Sequence, residues 1–444
     1  MDRSDDDDLQ KTIESWVSKK HYSKLLGLWV KGLAFDWKKL YGDTVPKRVS
    51  LPTYPFARDR YWVEEECPDK VVDSTHEAIG TLVFKPVWKE KAVDPEQKIS
   101  EYTDHLVFLC GLNQKRQLLQ DKLPHLSLVD LESNHKTLEK RFEEYSLGLF
   151  TTIQKILQGK PKGNVLLQVL VPAQGIQQTF SALSGILKTA RLENPRILGQ
   201  VIAVRKEDSI ENMVTKVQAN SRCPEDQQIR YEGDQRLVAS FEEIIKVEKD
   251  QTIPWKNGGV YLITGGAGGL GLIFAKEIVE KEKDVTLILT GRSDLSKEKK
   301  ARLDELERLG AKIEYKSVDV SDKKAVNALV LEIQNNSGGL NGIIHSAGVI
   351  RDNFILKKTK AEFEQVLAPK VEGVMNLDHA AKELDLDFFV LFSSGAGVTG
   401  SIGQADYSTA NAFMDAFSKY RNSLLDSRQR RGQTLSINWP LWRD

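Results

Sequence analysis

From residue 258 onward, short apolar runs alternate with longer amphipathic stretches, and this alternation restricts the fold more than any other feature of the chain. The runs 260–264, 285–290, 312–318, 342–345, 388–393 and 435–439 are short and mostly rich in β-branched or aromatic residues, so they predict strands. Between them, 270–281, 297–309, 323–334, 360–382 and 411–426 carry apolar residues at helical spacing. A strand–helix alternation of this length predicts an α/β fold with a doubly wound parallel sheet. Ligands of such sheets bind beyond the carboxyl ends of the strands.

The first strand runs into Thr264, Gly265, Gly266, Ala267, Gly268, Gly269, Leu270 and Gly271, and a helix follows. Glycines let the backbone approach a pyrophosphate, and the helix start offers free N–H groups and a positive dipole end. A tight structural turn is the alternative, but the strand–turn–helix context favours a nucleotide. Arg292 and Ser293 stand after the second strand, where an NAD site usually places an acid for the ribose 2′-hydroxyl. A guanidinium suits a 2′-phosphate, so NADPH is the expected cofactor; the alternative is a solvated surface arginine. Asp319 follows the third strand and either contacts the adenine end or starts a turn.

Four further residues make a chemical set. Ser394 ends the fifth strand, Tyr407 lies near the start of a helix, Asn411 follows one turn later, and Lys370 sits on an earlier helix. Singly, each has an ordinary structural role; jointly they suit proton transfer to a carbonyl that receives a hydride. Lys370 supplies a cation that favours the tyrosinate, and Ser394 holds the carbonyl oxygen.

The glycine-rich turn, the Ser394/Tyr407 spacing and the Phe392-Ser-Ser394 run resemble the short-chain dehydrogenase/reductases. Most of that superfamily places the lysine one turn after the tyrosine; here Asn411 takes that place and Lys370 comes earlier. This order resembles the ketoreductase domains of modular polyketide synthases. The stretches 342–348, 368–370 and 436–439 are similar to that family too. The resemblance implies cofactor contacts from Val320, Ser346, Ala347 and Gly348, besides Lys370 and Tyr407. It implies that Asn411 orders a water that returns the proton. It also implies an acyl carrier protein with a phosphopantetheine-tethered keto acyl chain as partner, with neighbouring synthase domains in the same polypeptide. Family members that give the D-configured alcohol carry Leu-Asp-Asp after the fourth strand. This chain reads Ile350-Arg351-Asp352 there and has Thr399 where the opposite class has tryptophan, so Asp352 points to the D (B-type) product.

The resemblance also orders the rest of the chain. Residues 1–77 are expected to be a linker that follows a ketosynthase- or acyltransferase-type domain, 78–250 a structural subdomain, and 251–444 the catalytic subdomain. Within 78–250, strands are expected at 80–88, 105–110, 164–171 and 198–204, and helices at 147–157 and 180–190. No glycine-rich turn follows those strands, so this half reads as a Rossmann-like fold without a phosphate site. In the first segment, 25–40 reads as helix, the proline- and aromatic-rich 45–62 as an extended strap, and 64–77 as linker. The family usually continues past the last tryptophan into a segment that covers the substrate, so an end at Asp444 leaves an open groove or a weak activity.

Composition closes other routes. Lys plus Arg equals Asp plus Glu at 63 each, which gives no reason to expect nucleic acid or an anionic membrane. No apolar run is long enough for a membrane span, and the acidic start is unlike a signal peptide. Cys67, Cys110 and Cys223 have no metal-ligand spacing, so no metal and a reducing, cytoplasmic setting are expected. Two rivals remain: a catalytically silent scaffold of the same family, and a free-standing dehydrogenase acting on a soluble alcohol.

Overall fold

The computed structural model describes residues 7–32, 35–41, 82–94, 101–245, 253–441 and shows two units, Met1–Ile79 and Gly80–Asp444. In the first unit, helices Asp7–Ser18 and Tyr22–Trp29 precede a 3-10 turn at Trp37–Leu40. The single helix expected over 25–40 is therefore broken. Gly32 takes φ +96, which ends a helix, and the Asp36 carboxylate caps the new turn by accepting from Lys38 N at 3.1 Å. The strap at 45–62 and the linker at 64–77 lie outside the described residues.

The second unit holds two sheets. The first contains β1 (Phe84–Glu90), β2 (Asp104–Cys110), β3 (Ser127–Leu131), β4 (Val165–Pro172), β5 (Ile197–Val204), β6 (Gln228–Glu232) and β7 (Gln235–Glu243), ordered β1-β7-β6-β5-β4-β2-β3. Its centre is parallel, and β7 pairs antiparallel with β6 and β1. Strands β3, β6 and β7 were not expected from the sequence. The two helices expected in this half are present, at Leu138–Gln158 and Ser184–Glu193, the latter entered through a 3-10 stretch.

The second sheet contains β8 (Val260–Thr264), β9 (Thr286–Gly291), β10 (Lys312–Ser317), β11 (Gly342–His345), β12 (Phe388–Ser394) and β13 (Gln433–Trp439). All pairings are parallel, in the order β10-β9-β8-β11-β12-β13. The chain thus leaves β8 in one direction and later returns to its other side with β11. That reversal opens a crevice at the carboxyl ends of β8 and β11, where Thr264 and His345 lie side by side in register. Strands β8 and β11 are buried along their whole length, which explains their unbroken apolar runs.

Candidate active site

The turn after β8 is built for close approach. Gly265 takes φ +66, and a Cβ there would lie 3.0 Å from the backbone of Ala347. Gly266 N donates to Thr290 O at 3.1 Å, and Gly268 N to Gly265 O at 2.9 Å, which fold the turn back over the sheet. The helix Gly269–Lys281 then starts without a side-chain cap. Its first N–H groups are left for an anion. Ser346 Oγ donates to Thr264 O at 2.9 Å, and Gly348 packs beside the Lys370 side chain. The turn after β11 therefore lies against the glycine turn and reaches the lysine. Together these features leave Gly268 and Gly269 exposed at an uncapped helix start, which suits the pyrophosphate of a dinucleotide.

At the end of β9, Arg292 and Ser293 are exposed, and Ser317 Oγ and Tyr315 Oη donate to their carbonyls. Asp319 Oδ1 accepts from Ser321 N at 2.9 Å and Ser321 Oγ at 2.7 Å, so the carboxylate closes a local turn. Val320 is buried, and its carbonyl accepts from Asn376 Nδ2 at 3.0 Å.

Ser394 is the last residue of β12 and caps the short helix Gly395–Thr399; its Oγ accepts from Ala396 N at 3.3 Å. The next helix begins at Ala405 rather than at 411, so Tyr407 lies in its first turn. Asn411 follows one turn later, and its Nδ2 donates to Tyr407 O at 2.7 Å. Its buried Oδ1 has no hydrogen-bond partner among the described residues. Lys370 enters from helix Lys360–Ala380, donates to Phe392 O at 2.9 Å, and places Nζ 5.4 Å from the Tyr407 ring centroid. The structure thus gathers all four residues around the end of β12. Burial pushes the Lys370 ammonium down to about 7, and the Asp415 carboxylate opposes that shift.

Sequence reasoning missed several groups around this set. Asp415 follows Asn411 at helical spacing, and that i, i+4 step was its only signal. It accepts from Ser436 Oγ at 2.6 Å and Asn438 Nδ2 at 2.8 Å, and burial raises its carboxyl. His345 was read as a strand end in a stretch similar to the family, with no role of its own. Its ring bridges Thr264 Oγ1 at 2.7 Å and Pro369 O at 3.0 Å. A carbonyl only accepts, so Nε2 carries the proton and Nδ1 accepts from the Thr264 hydroxyl. Burial and the neighbouring Lys370 hold this imidazole neutral, down to about 3. It ties the glycine turn to the lysine helix. Asp352 is exposed and accepts from Gln404 Nε2 at 3.0 Å, which links the loop after β11 to the start of the tyrosine helix.

Among the described residues, no cluster of His, Cys, Asp and Glu suits a metal, and no helix is long and apolar enough to cross a membrane.

Residues 259–444 match the family model described as "KR domain", and 99–220 are similar to one described as "Beta-ketoacyl synthase-like, N-terminal". The chain is 45% identical over 369 residues to polyketide synthase PksN of Bacillus subtilis (strain 168); the match takes in 83% of this chain and 7% of that protein. It is 46% identical over 368 residues to polyketide synthase PksL of the same organism, with 83% of this chain and 8% of that protein aligned. The chain therefore spans less than a tenth of either relative. Among solved structures, a ketoreductase domain from the bacillaene assembly line superposes with a TM-score of 0.77 at 40% identity, covering 82% of this chain and 85% of that one. With that coverage and identity, and with the lysine, serine, tyrosine and asparagine gathered as described, this chain belongs to the ketoreductase domains of modular polyketide synthases, within the short-chain dehydrogenase/reductase superfamily.

Proposed function

We propose that this domain uses NADPH to reduce the keto group of a polyketide acyl chain, held as a thioester on an acyl carrier protein. The observation that carries the proposal is Lys370 Nζ poised 5.4 Å from the Tyr407 ring, with a glycine turn nearby whose Gly268 and Gly269 are exposed at an uncapped helix start. When bound, the nicotinamide supplies a hydride. The remaining steps belong to the chain. Tyr407 donates its phenolic proton to the substrate oxygen as negative charge develops there. Charged Lys370 stabilises the tyrosinate that results; with its own value near 7, it responds readily to a nearby anion. Ser394 Oγ accepts from Ala396 N, which leaves its proton to donate to the substrate oxygen. The open acceptor at Asn411 Oδ1 suits a water that returns a proton to Tyr407.

The preference for NADPH rests on exposed Arg292 and Ser293, which come first after β9, ahead of Asp294. Asp319 and Val320 would line the adenine side, and Ser346, Ala347 and Gly348 the nicotinamide side. Asp352, through Gln404, supports the D-configured alcohol. On this reading 1–77 is a linker to a preceding synthase domain, 78–250 a bracing subdomain and 251–444 the reductase, acting in the cytoplasm. The test is incubation with a panel of carrier-bound keto acyl chains and NADPH or NADH, followed by chiral analysis. NADPH-dependent formation of a D-alcohol is expected; no turnover of any member would favour the silent scaffold.

A further inference from the structure

Two charged groups beside the site are used by none of these steps. Lys358 and Asp406 are 0% and 1% exposed and meet at 2.7 Å. Burying such a pair costs desolvation, and an apolar pair of similar volume is often as stable. Stability alone therefore gives little reason for charge at this place. Its position in the chain suggests another reason. Lys358 immediately precedes Thr359, the N-cap of the helix that carries Lys370, where Thr359 and Glu362 form a capping box. Asp406 immediately precedes Tyr407, and its Oδ1 accepts from Tyr407 N at 2.9 Å. The pair therefore joins the first turns of the two helices that bring lysine and tyrosine together. Lys358 Nζ also donates to Arg351 O, which fixes the loop that bears Asp352. Parallel ties run beside it: Asn353 N donates to Gly403 O at 2.9 Å, and Gln154 Nε2 to Lys358 O at 3.1 Å.

We propose that Lys358 and Asp406 are positioning residues that set Tyr407 against Lys370 and hold the loop 350–358 in register with both. The proposal rests on the reading of Tyr407 as proton donor. A directional pair, joined by one hydrogen bond and with each member held by a further bond to Arg351 O or Tyr407 N, fixes distance and orientation, whereas apolar contact allows sliding. Misplacement of a reacting group by about 1 Å can cost about 100-fold in rate.

The test compares wild type with Asp406→Asn, Lys358→Met and the double variant Lys358→Met/Asp406→Leu, which removes charge without leaving one buried and unpaired. Melting temperature, NADPH affinity, kcat and KM for a carrier-bound ketone, and amide hydrogen exchange are measured. Wild-type melting and NADPH affinity are expected in the double variant, with kcat reduced about 100-fold and faster exchange in 350–358 and 403–408 together. Asp406→Asn keeps the volume and one acceptor, for Tyr407 N, while losing the one for Lys358 Nζ, and serves if the double variant does not fold; the same coupled exchange and a loss in kcat rather than KM are expected. A folded double variant with wild-type kcat and wild-type exchange would overturn the proposal. If wild type reduces no ketone while exchange still rises in both segments together, the reductase reading fails and the positional coupling stands.

Discussion

Replacing Tyr407 by phenylalanine separates chemistry from folding. The recorded hydrogen bonds of Tyr407 run through its backbone, from N to Asp406 Oδ1 and from Asn411 Nδ2 to O. Phenylalanine keeps both, and it keeps the ring beside Lys370 Nζ. Among the described residues, no hydrogen bond of the phenolic oxygen is recorded, so no buried partner is orphaned. Stability should therefore change by no more than about 0.5 kcal/mol, a melting shift of about 0.5–1 °C for a chain of this size. NADPH should still bind. A general acid contributes about 10²- to 10⁴-fold, which at about 1.4 kcal/mol per decade is roughly 3–5 kcal/mol of barrier. The assay is loss of NADPH absorbance with a carrier-bound ketone, alongside a thermal melt. Turnover within about 3-fold of wild type, which is only about 0.6 kcal/mol of barrier, would refute the assignment. A normal melt with lost turnover would support it, and a large melting loss would show that the phenol is structural.

Three further outcomes are expected. Arg292→Ala should raise KM for NADPH roughly 10-fold, in line with loss of one exposed charge-assisted contact, and leave KM for NADH unaltered; equal changes for both cofactors would contradict the 2′-phosphate role. Gly265→Ala should destabilise the fold by about 1–2 kcal/mol because φ is +66 there, and NADPH titration should show weaker binding. His345→Gln should flatten acid sensitivity: in wild type the unfolded imidazole gains a proton below 6.5 while the folded one stays neutral to about 3, so stability is lost as pH falls. Between pH 6.5 and 5 that loss is about 2 kcal/mol relative to the variant, read by denaturant melts at both pH values. Asp406, held up to about 6 by burial, acts with the opposite sign, and because both proteins carry it, it cancels from the comparison.

What the sequence disclosed follows from how each element is buried. Strands β8 and β11 lie between two helical layers, so their side chains are apolar on both faces and read as unbroken runs. Edge strand β3 carries Ser127 and Asp130, and the hairpin β6–β7 mixes Arg230, Glu232, Arg236 and Glu243 into its faces, so neither left an apolar run. The start of the tyrosine helix was hidden because Gln404, its N-cap, makes no side-chain cap. At the site, Ser394, Tyr407 and Asn411 were legible because local spacing sets their geometry. Lys358 and Asp406 are 48 residues apart, and no local pattern joins them.

The same limit explains why the first sheet looked like a partner without a task. It has no phosphate turn, yet one of its helices frames the segment between Ser394 and Tyr407. On helix Ser184–Glu193, Gly185 permits a close crossing; a Cβ there would lie 2.6 Å from Thr409 N. Lys188 Nζ donates to Val398 O at 2.7 Å, and Ser401 N donates to Thr189 Oγ1 at 3.3 Å. Glu193 accepts from Gly403 N at 3.1 Å and from Ile355 N at 2.8 Å, so one carboxylate holds both loops that flank the tyrosine. Phe142, from the neighbouring helix, packs 4.7 Å from Phe413 on the tyrosine helix itself. Without this half, the tyrosine helix would expose Phe413, the segment before it would lose three hydrogen bonds to a rigid surface, and the loop 350–358 would lose one. The first sheet therefore has no glycine-rich turn in its sequence, yet it supplies the surface that fixes where Tyr407 stands.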